Sequence, residues 1–87
     1  NMDNRERVFE ILNVLSGVEG FDEKSSLTDD LYMDSLEMVM LLIEIEDEFD
    51  ILIDESDMNP FDLVSVSDVV GLVDRYCERK ENGYEES

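Results

Sequence analysis

The sequence predicts an all-α fold, a small bundle of three main helices and one short helix, with a long loop between helices one and two. Three observations lead to this prediction. Apolar residues recur at spacings of three and four in three separate segments, which is the period of an amphipathic helix. Gly, Pro, Asn and Ser interrupt the pattern between those segments. A length of 87 residues suits one small domain, predicted here to span residues 3–80.

The first helix is expected from Asp3 to Ser16, with Gly17 as its C-terminal stop. The next segment, Gly17 to Asp30, has two glycines, mixed charge and no period, so it is predicted to be a long loop. Loops of this length are often functional in compact domains. The inward stripe of the helix is Val8, Ile11, Leu12 and Leu15, and the residues expected to hold the loop on the core are Val18, Phe21, Leu27 and Leu31.

The second helix, predicted over residues 35–49, is about 22 Å long at 1.5 Å per residue. Its buried stripe is predicted from the spacing of Leu36, Val39, Leu42, Ile45 and Phe49, with Leu41 and Ile43 beside them. The predicted outer face carries Glu37, Glu44, Asp47 and Glu48, with Met38 and Met40 at or near the exposed side. Ser35 stands at an N-cap or first-turn position, where an exposed hydroxyl at the positive end of the helix dipole tolerates an attached phosphate.

The segment after the second helix, residues 50–54, is predicted to be an extended connector that buries Ile51 and Ile53. Pro60 is then expected to start a short helix over residues 61–64.

The last helix is predicted from Asp68 to about Lys80, with Ser67 as its N-cap. The expected inward residues are Val69, Val70, Val73, Tyr76 and Cys77. Because a single cysteine has no partner for a disulfide, Cys77 is expected to be a buried structural thiol. The acidic tail 81–87 is expected to be frayed.

The charge of the chain restricts its function. The formal net charge is −19, and no Lys or Arg occurs between Ser25 and Asp74, against fifteen Asp and Glu. Binding to nucleic acid needs cationic side chains on the protein, so it is excluded, and partner proteins should present basic patches.

The sequence contains no run of about 18 apolar residues, so no membrane-spanning segment is predicted. The first residues lack a secretion signal, so a cytoplasmic protein, expected to be a monomer, is the simplest interpretation.

No catalytic or metal site is predicted. The chain has no His, which removes Ser-His-Asp and Cys-His nucleophiles and His-ligated metals. Because the chain has 25 Asp and Glu, two carboxylates near each other in the sequence do not indicate a catalytic pair. The acidic windows 50–61 and 54–65 lack the Gly at position six and the Glu at position twelve of an EF-hand loop.

Several motifs together resemble the acyl carrier and peptidyl carrier protein family, over residues 5–76. They are LYMDSL at 31–36, the run EDEFDI at 46–51, and the Ser-Val-Ser start of the last helix. The resemblance implies that Ser35 carries 4′-phosphopantetheine through a phosphodiester, added by a separate phosphopantetheinyl transferase from coenzyme A. The carrier itself catalyses nothing.

The resemblance also implies site residues and partners. Asp34 and Leu36 would contact the transferase, and Ile53 would lie at the entrance of a cavity that can shelter an acyl chain. The partners implied are basic-surfaced acyl-transferring, adenylating or ketosynthase enzymes. The positions that meet such enzymes in the family are occupied here by Glu37, Met40, Ile43, Glu46 and Asp47.

Departures from the family pattern favour a free-standing carrier of a specialised polyketide or nonribosomal-peptide pathway. Tyr32-Met33 replaces the Gly-Ala pair usual in fatty-acid-synthesis carriers, Met40 replaces an acidic residue, and Asp54 replaces Pro. A fatty-acid-synthesis carrier is an alternative. So is a D-alanyl carrier, which shares Phe-Asp-Ile-Leu at 49–52 but usually has Phe in place of Leu36. An unmodified acidic adaptor is the alternative from another functional class.

Overall fold

Three α-helices form the fold of the computed structural model, which describes residues 2–83. They are α1 (Asn4–Ser16), α2 (Ser35–Phe49) and α3 (Val66–Glu81), and α1 packs against both of the others. The predicted all-α bundle with a long first loop is confirmed. Within the described residues, the strand-like pairing recorded is one isolated antiparallel bridge between Ser26 and Ser65.

Each main helix starts with a capping box, in which the N-cap side chain and the third helical side chain each accept the other residue's backbone N–H. The pairs are Asp3 with Glu6, Asp34 with Glu37 and Ser65 with Asp68. The first helix stops at Gly17, as predicted, with φ +74°. The second stops at Asp50, which also lies in the left-handed region with φ +52°.

The predicted start of the last helix was wrong by two residues. Its N-cap is Ser65 rather than Ser67, and Val66, the first helical residue, is fully buried. The capping box decides between the two serines, because an acidic residue stands three positions after Ser65 but not after Ser67. The Asp68 carboxylate accepts the N–H groups of Val64 and Ser65 at 2.9 and 3.0 Å. These backbone hydrogen bonds lower the pKa of Asp68.

At its other end α3 continues to Glu81, so the residue expected to begin a frayed tail is helical. Asn82 is the C-cap of the helix, and the last residues of the tail, 84 to 87, lie outside the described residues.

The long loop is part of the core, as predicted. Leu27 and Leu31 are buried, and Phe21 stacks on Phe9 of α1 with 5.1 Å between ring centroids. Two backbone hydrogen bonds then tie the loop to the start of α3: Leu27 N–H to the Val64 carbonyl, at 2.9 Å, and Val66 N–H to the Ser25 carbonyl, at 3.0 Å. The loop therefore enters α2 from a fixed position.

The connector after α2 buries Ile51 and Ile53, as predicted. The short helix predicted over residues 61–64 is instead a 3₁₀ turn, Pro60–Asp62, and a second 3₁₀ turn that the sequence analysis missed occupies Glu55–Asp57. At the start of the Pro60–Asp62 turn, the Asn59 side chain accepts the Phe61 N–H at 3.1 Å.

The buried stripe predicted for α2 was partly wrong. Leu36, Val39 and Ile43 are exposed, whereas Met38, expected at or near the exposed side, is buried. Two stripes of apolar residues with spacings of three and four coexist on this helix, and packing against α1 and α3 selects one of them. The buried set is Met38, Leu41, Leu42, Ile45 and Phe49.

Cys77 is a free, half-buried thiol on α3. Burial raises the pKa of this thiol, which disfavours the reactive thiolate. The thiol is less buried than predicted, and its structural role stays a prediction.

Candidate functional site

The start of α2 presents one hydroxyl to solvent. Ser35 is the first residue of the helix and is exposed. The N-cap is Asp34, whose carboxylate accepts the Glu37 N–H at 2.8 Å, while the Glu37 carboxylate accepts the Asp34 N–H at 3.0 Å. Because this box completes the cap, the Ser35 hydroxyl is not needed for it. Of the two positions that the sequence allowed, N-cap or first turn, the structure selects the first turn.

The chain that leads into Ser35 is rigidly held. Leu31 and Met33 are buried, and the Met33 N–H donates to the Leu27 carbonyl at 3.0 Å. Between them lies Tyr32, whose side chain is 75% exposed and whose φ is +57°. The left-handed conformation costs a non-glycine residue roughly 1–2 kcal/mol. Tyr32 stands where the family pattern has the Gly of its Gly-Ala pair, and because glycine adopts positive φ without strain, this departure was the available signal for the backbone conformation.

The environment of Ser35 fits a covalently attached phosphate. The first turn of a helix carries partial positive charge, which stabilises an anion there by about 0.3–1 kcal/mol. The two neighbouring carboxylates, of Asp34 and Glu37, already accept backbone N–H groups. A phosphodiester on this hydroxyl would therefore lie at the solvent boundary of a capped helix.

An exposed apolar face follows the serine along α2. We call it the α2 apolar face and define it as Leu36, Val39, Met40 and Ile43, whose spacings of three and four place them on one side of the helix. Leu36 is 66% exposed and Ile43 is 56% exposed. Glu44 and Asp47, farther along the helix, are also exposed. An apolar strip on an acidic helix is suited to protein contact.

The predicted partner-contact residues do not all share this surface. Met40, Ile43 and Asp47 are exposed, but the Glu37 carboxylate belongs to the helix cap. The carboxylate of Glu46 accepts the Ile53 N–H at 2.9 Å and is half-buried. This bond ties α2 to the connector. The exposure of Val39 was not predicted, because periodicity alone places this residue in the buried stripe.

The basic residues of the described chain are mostly used in ion pairs away from the start of α2. Five pairs occur among residues 2–83, all between partly or fully exposed side chains: Arg5–Glu23, Arg7–Glu48, Arg75–Asp57, Arg79–Asp54 and Lys80–Asp50. Those that involve α2 or the residue after it lie at its C-terminal end. The surface around Ser35 is therefore anionic.

Salt is expected to raise the melting temperature of this protein. Raising NaCl from about 10 mM to about 1 M shortens the Debye length from about 30 to about 3 Å, which screens repulsion between the crowded carboxylates. Each kcal/mol of relieved repulsion raises the melting temperature of a domain of this size by about 4–8 °C. Thermal melts followed by circular dichroism measure the effect. An unchanged or lower melting temperature would mean that screening of the five ion pairs matters as much as screening of the repulsion.

The comparison with protein families decides the class of the protein. The sequence model of the family described as "Phosphopantetheine attachment site" matches residues 6–73. The chain belongs to this family of carrier proteins. The resemblance drawn from the sequence is thereby confirmed, and with it 4′-phosphopantetheine as the group that such carriers hold. Carriers of this family are not enzymes.

Relatives of this carrier include two kinds of protein. It is 31% identical over 80 residues to the acyl carrier protein of Thermotoga maritima, covering 85% of this chain and 96% of the relative. It is 36% identical over 73 residues to the acyl carrier protein of an Exiguobacterium species, covering 84% of this chain and 87% of the relative. The D-alanyl carrier protein of Lactococcus lactis subsp. cremoris is 30% identical over 71 residues, covering 79% of this chain and 90% of the relative.

The fold of the carrier is also that of a solved structure. The crystal structure of the Thermotoga maritima acyl carrier protein superposes with a TM-score of 0.71, at 24% identity, over 87% of this chain and 93% of the other. None of the helices within residues 2–83 is both long and apolar enough to cross a membrane. In the same residues, no cluster of three or more His, Cys, Asp or Glu is arranged to hold a metal ion.

Proposed function

We propose that Ser35 is the residue of this carrier to which 4′-phosphopantetheine is attached, and that acyl or aminoacyl intermediates are carried on it. The observation that carries the proposal is the exposed hydroxyl at the first residue of α2, left free by a cap that Asp34 and Glu37 complete. When attached, the group supplies a terminal thiol that holds the cargo as a thioester. The protein supplies a rigid anchor, because the N-cap and the buried residues before it fix the hydroxyl in place.

The neighbours of Ser35 have separate roles in this proposal. Asp34 holds the first turn of the helix, so that the hydroxyl stays in one position while a transferase acts on it. Leu36 exposes its side chain directly after the serine and would enter the footprint of any enzyme that reaches the hydroxyl. Both contacts with the phosphopantetheinyl transferase were implied by the family resemblance.

Partner enzymes are proposed to dock on the α2 apolar face and the acidic residues near it. Met40, Ile43 and Asp47 are the predicted contacts that the structure leaves exposed. Negative charge speeds the encounter with basic enzymes, and a small contact area lets each partner leave. Glu37 and Glu46 remain predicted contacts, but both also hold backbone N–H groups.

The proposed pathway is a specialised one, polyketide or nonribosomal-peptide synthesis, since Tyr32 and Met40 depart from the fatty-acid carrier pattern. The D-alanyl and fatty-acid-synthesis alternatives are supported by relatives of both kinds. Loading assays separate amino-acid cargo from acyl cargo: an adenylating enzyme would attach an amino acid, as in the D-alanyl and nonribosomal-peptide pathways, whereas acyl-transferring enzymes would attach an acyl chain. The cytoplasm is the proposed location, which suits a chain with one free thiol.

Coexpression with a broad-specificity phosphopantetheinyl transferase is expected to raise the intact mass by one phosphopantetheine. Ser35→Ala should abolish the gain completely, because no other hydroxyl shares its position. Ser67→Ala is the matched control, since Ser67 is also an exposed serine in the first turn of a helix, and this variant should gain the full mass. An unchanged mass of the unsubstituted chain would favour the unmodified acidic adaptor, and a gain in Ser35→Ala would place the attachment on another residue.

A further inference from the structure

Tyr32 contributes little to the fold that holds it. Its φ of +57° lies in the left-handed region, which a bulky side chain rarely adopts and which glycine adopts without strain. Its ring is 75% exposed, so the core gains almost nothing from it, whereas the residues on either side are buried. Strain retained at an exposed aromatic residue suggests that the side chain acts outside the core.

The backbone of Tyr32 lies close to the proposed attachment residue. Tyr32 lies three positions before Ser35, which limits the distance between their backbones to about 10–11 Å. Both residues are held: the Met33 N–H donates to the Leu27 carbonyl at 3.0 Å, and the capping box of Asp34 holds the first turn. The backbone positions that carry the phenol ring and the Ser35 hydroxyl are therefore held at the same end of α2.

We propose that the ring of Tyr32 is an intramolecular contact for the phosphopantetheine arm on Ser35. The arm is a flexible chain with a geminal dimethyl group and two amides, and an exposed phenol ring offers an apolar face to both. Because the arm is tethered a few residues away, its effective concentration at the ring is of millimolar order, so even a weak contact is populated. The ring then biases the arm toward the start of α2. This inference rests on the proposed function of Ser35.

Proton NMR of the loaded protein tests the contact. In the unsubstituted chain, we expect nuclear Overhauser effects between the Tyr32 ring and the geminal methyl groups of the arm. We also expect an upfield shift of those methyl signals relative to free 4′-phosphopantetheine. Tyr32→Phe keeps the ring and should retain both signals, whereas Tyr32→Gly should lose them. Phe61→Ala is the matched control, since it removes another exposed aromatic ring and should leave both signals unchanged.

The melting temperature of the unloaded Tyr32→Gly variant supplies a second readout. Relief of the left-handed strain should at least offset the entropy that glycine adds to the unfolded chain, so the melting temperature should equal or exceed that of the unsubstituted chain. A lower value would mean that the ring contributes to the fold and would overturn the inference.

Three NMR or kinetic results would also overturn it. One is a loaded chain, verified by mass, whose methyl signals match those of the free arm. Another is the loss of the signals in Phe61→Ala. The third is a raised KM of the transferase for Tyr32→Gly with no change in the methyl signals, which would assign the ring to an enzyme. The first result leaves the attachment at Ser35 intact, whereas failure to gain mass removes both proposals.

Discussion

Ile45→Ala is expected to destabilise the protein by about 2–5 kcal/mol, whereas Ile43→Ala should change its stability by less than about 0.5 kcal/mol. Both residues are isoleucines on the same helix, but Ile45 is fully buried and Ile43 is 56% exposed. Truncation at Ile45 removes apolar contacts and leaves a cavity, since the packed interior relaxes only partly. A domain has a total stability of only about 5–15 kcal/mol, so the first variant loses a large part of it.

Urea unfolding followed by circular dichroism measures both variants. Met38→Ala and Met40→Ala form a second matched pair, because Met38 is buried and Met40 is exposed. Equal losses of stability in Ile43→Ala and Ile45→Ala would contradict the finding that only one of the two apolar stripes of α2 is buried. The exposed variants should instead weaken docking, seen as a raised KM of the phosphopantetheinyl transferase for Ile43→Ala.

Tyr76→Phe is expected to destabilise the protein by about 1–3 kcal/mol through the loss of the hydrogen-bonded hydroxyl of a buried tyrosine. This hydroxyl accepts the Asp54 N–H at 3.0 Å and donates to the Asp57 carboxylate. The aromatic ring is buried at the junction of α3 and the connector, so removal of the oxygen leaves the Asp54 N–H without this partner. Tyr32→Phe is the control, since Tyr32 is exposed, and it should be neutral in the same urea titration.

The effect of Tyr76→Phe should depend on pH. The hydrogen bond from Tyr76, followed by the nearby charge of Arg75, lowers the pKa of Asp57 in the folded protein. Stability from a carboxylate with a lowered pKa is complete above its unfolded value, about 3.9, and is lost as the pH falls through the folded value. The difference in the free energy of unfolding between the unsubstituted chain and Tyr76→Phe should therefore be constant near neutral pH and become smaller below about pH 4. Urea titrations across that range measure it, and a constant difference throughout would contradict the role of Asp57.

Several contacts hold the connector on α3, and they explain why this junction is expected to be sensitive. Arg79 donates to the Asp54 carboxylate at 3.0 Å, and Lys80 donates to the Asp50 carbonyl at 2.7 Å. The Arg75–Asp57 pair, at 3.2 Å, lies beside the Tyr76 hydroxyl. Exposed ion pairs contribute little singly, so the buried hydroxyl is expected to matter more than any one of them.

Local chemistry was enough to predict much of the carrier. The periodicity of α1, the glycine stop at Gly17 and the serine at the first turn of α2 were all readable from the sequence, because each depends on residues within one or two turns. The start of α3 was also readable in principle. Ser65 has an acidic residue three positions later and Ser67 does not, so the capping box, rather than the choice of a serine alone, was the informative signal.

Long-range packing decided the rest. Helix α2 carries two apolar stripes of the same period, and only contact with α1 and α3 buries Met38 and Ile45 while leaving Leu36 and Ile43 exposed. Tyr32, between the buried Leu31 and Met33, has a left-handed backbone that its own residue type does not favour. Local sequence therefore determined where helices start, where they end and which hydroxyl stands at the start of α2. Which faces turn inward was decided by the tertiary structure, because burial depends on neighbours that are distant in the chain.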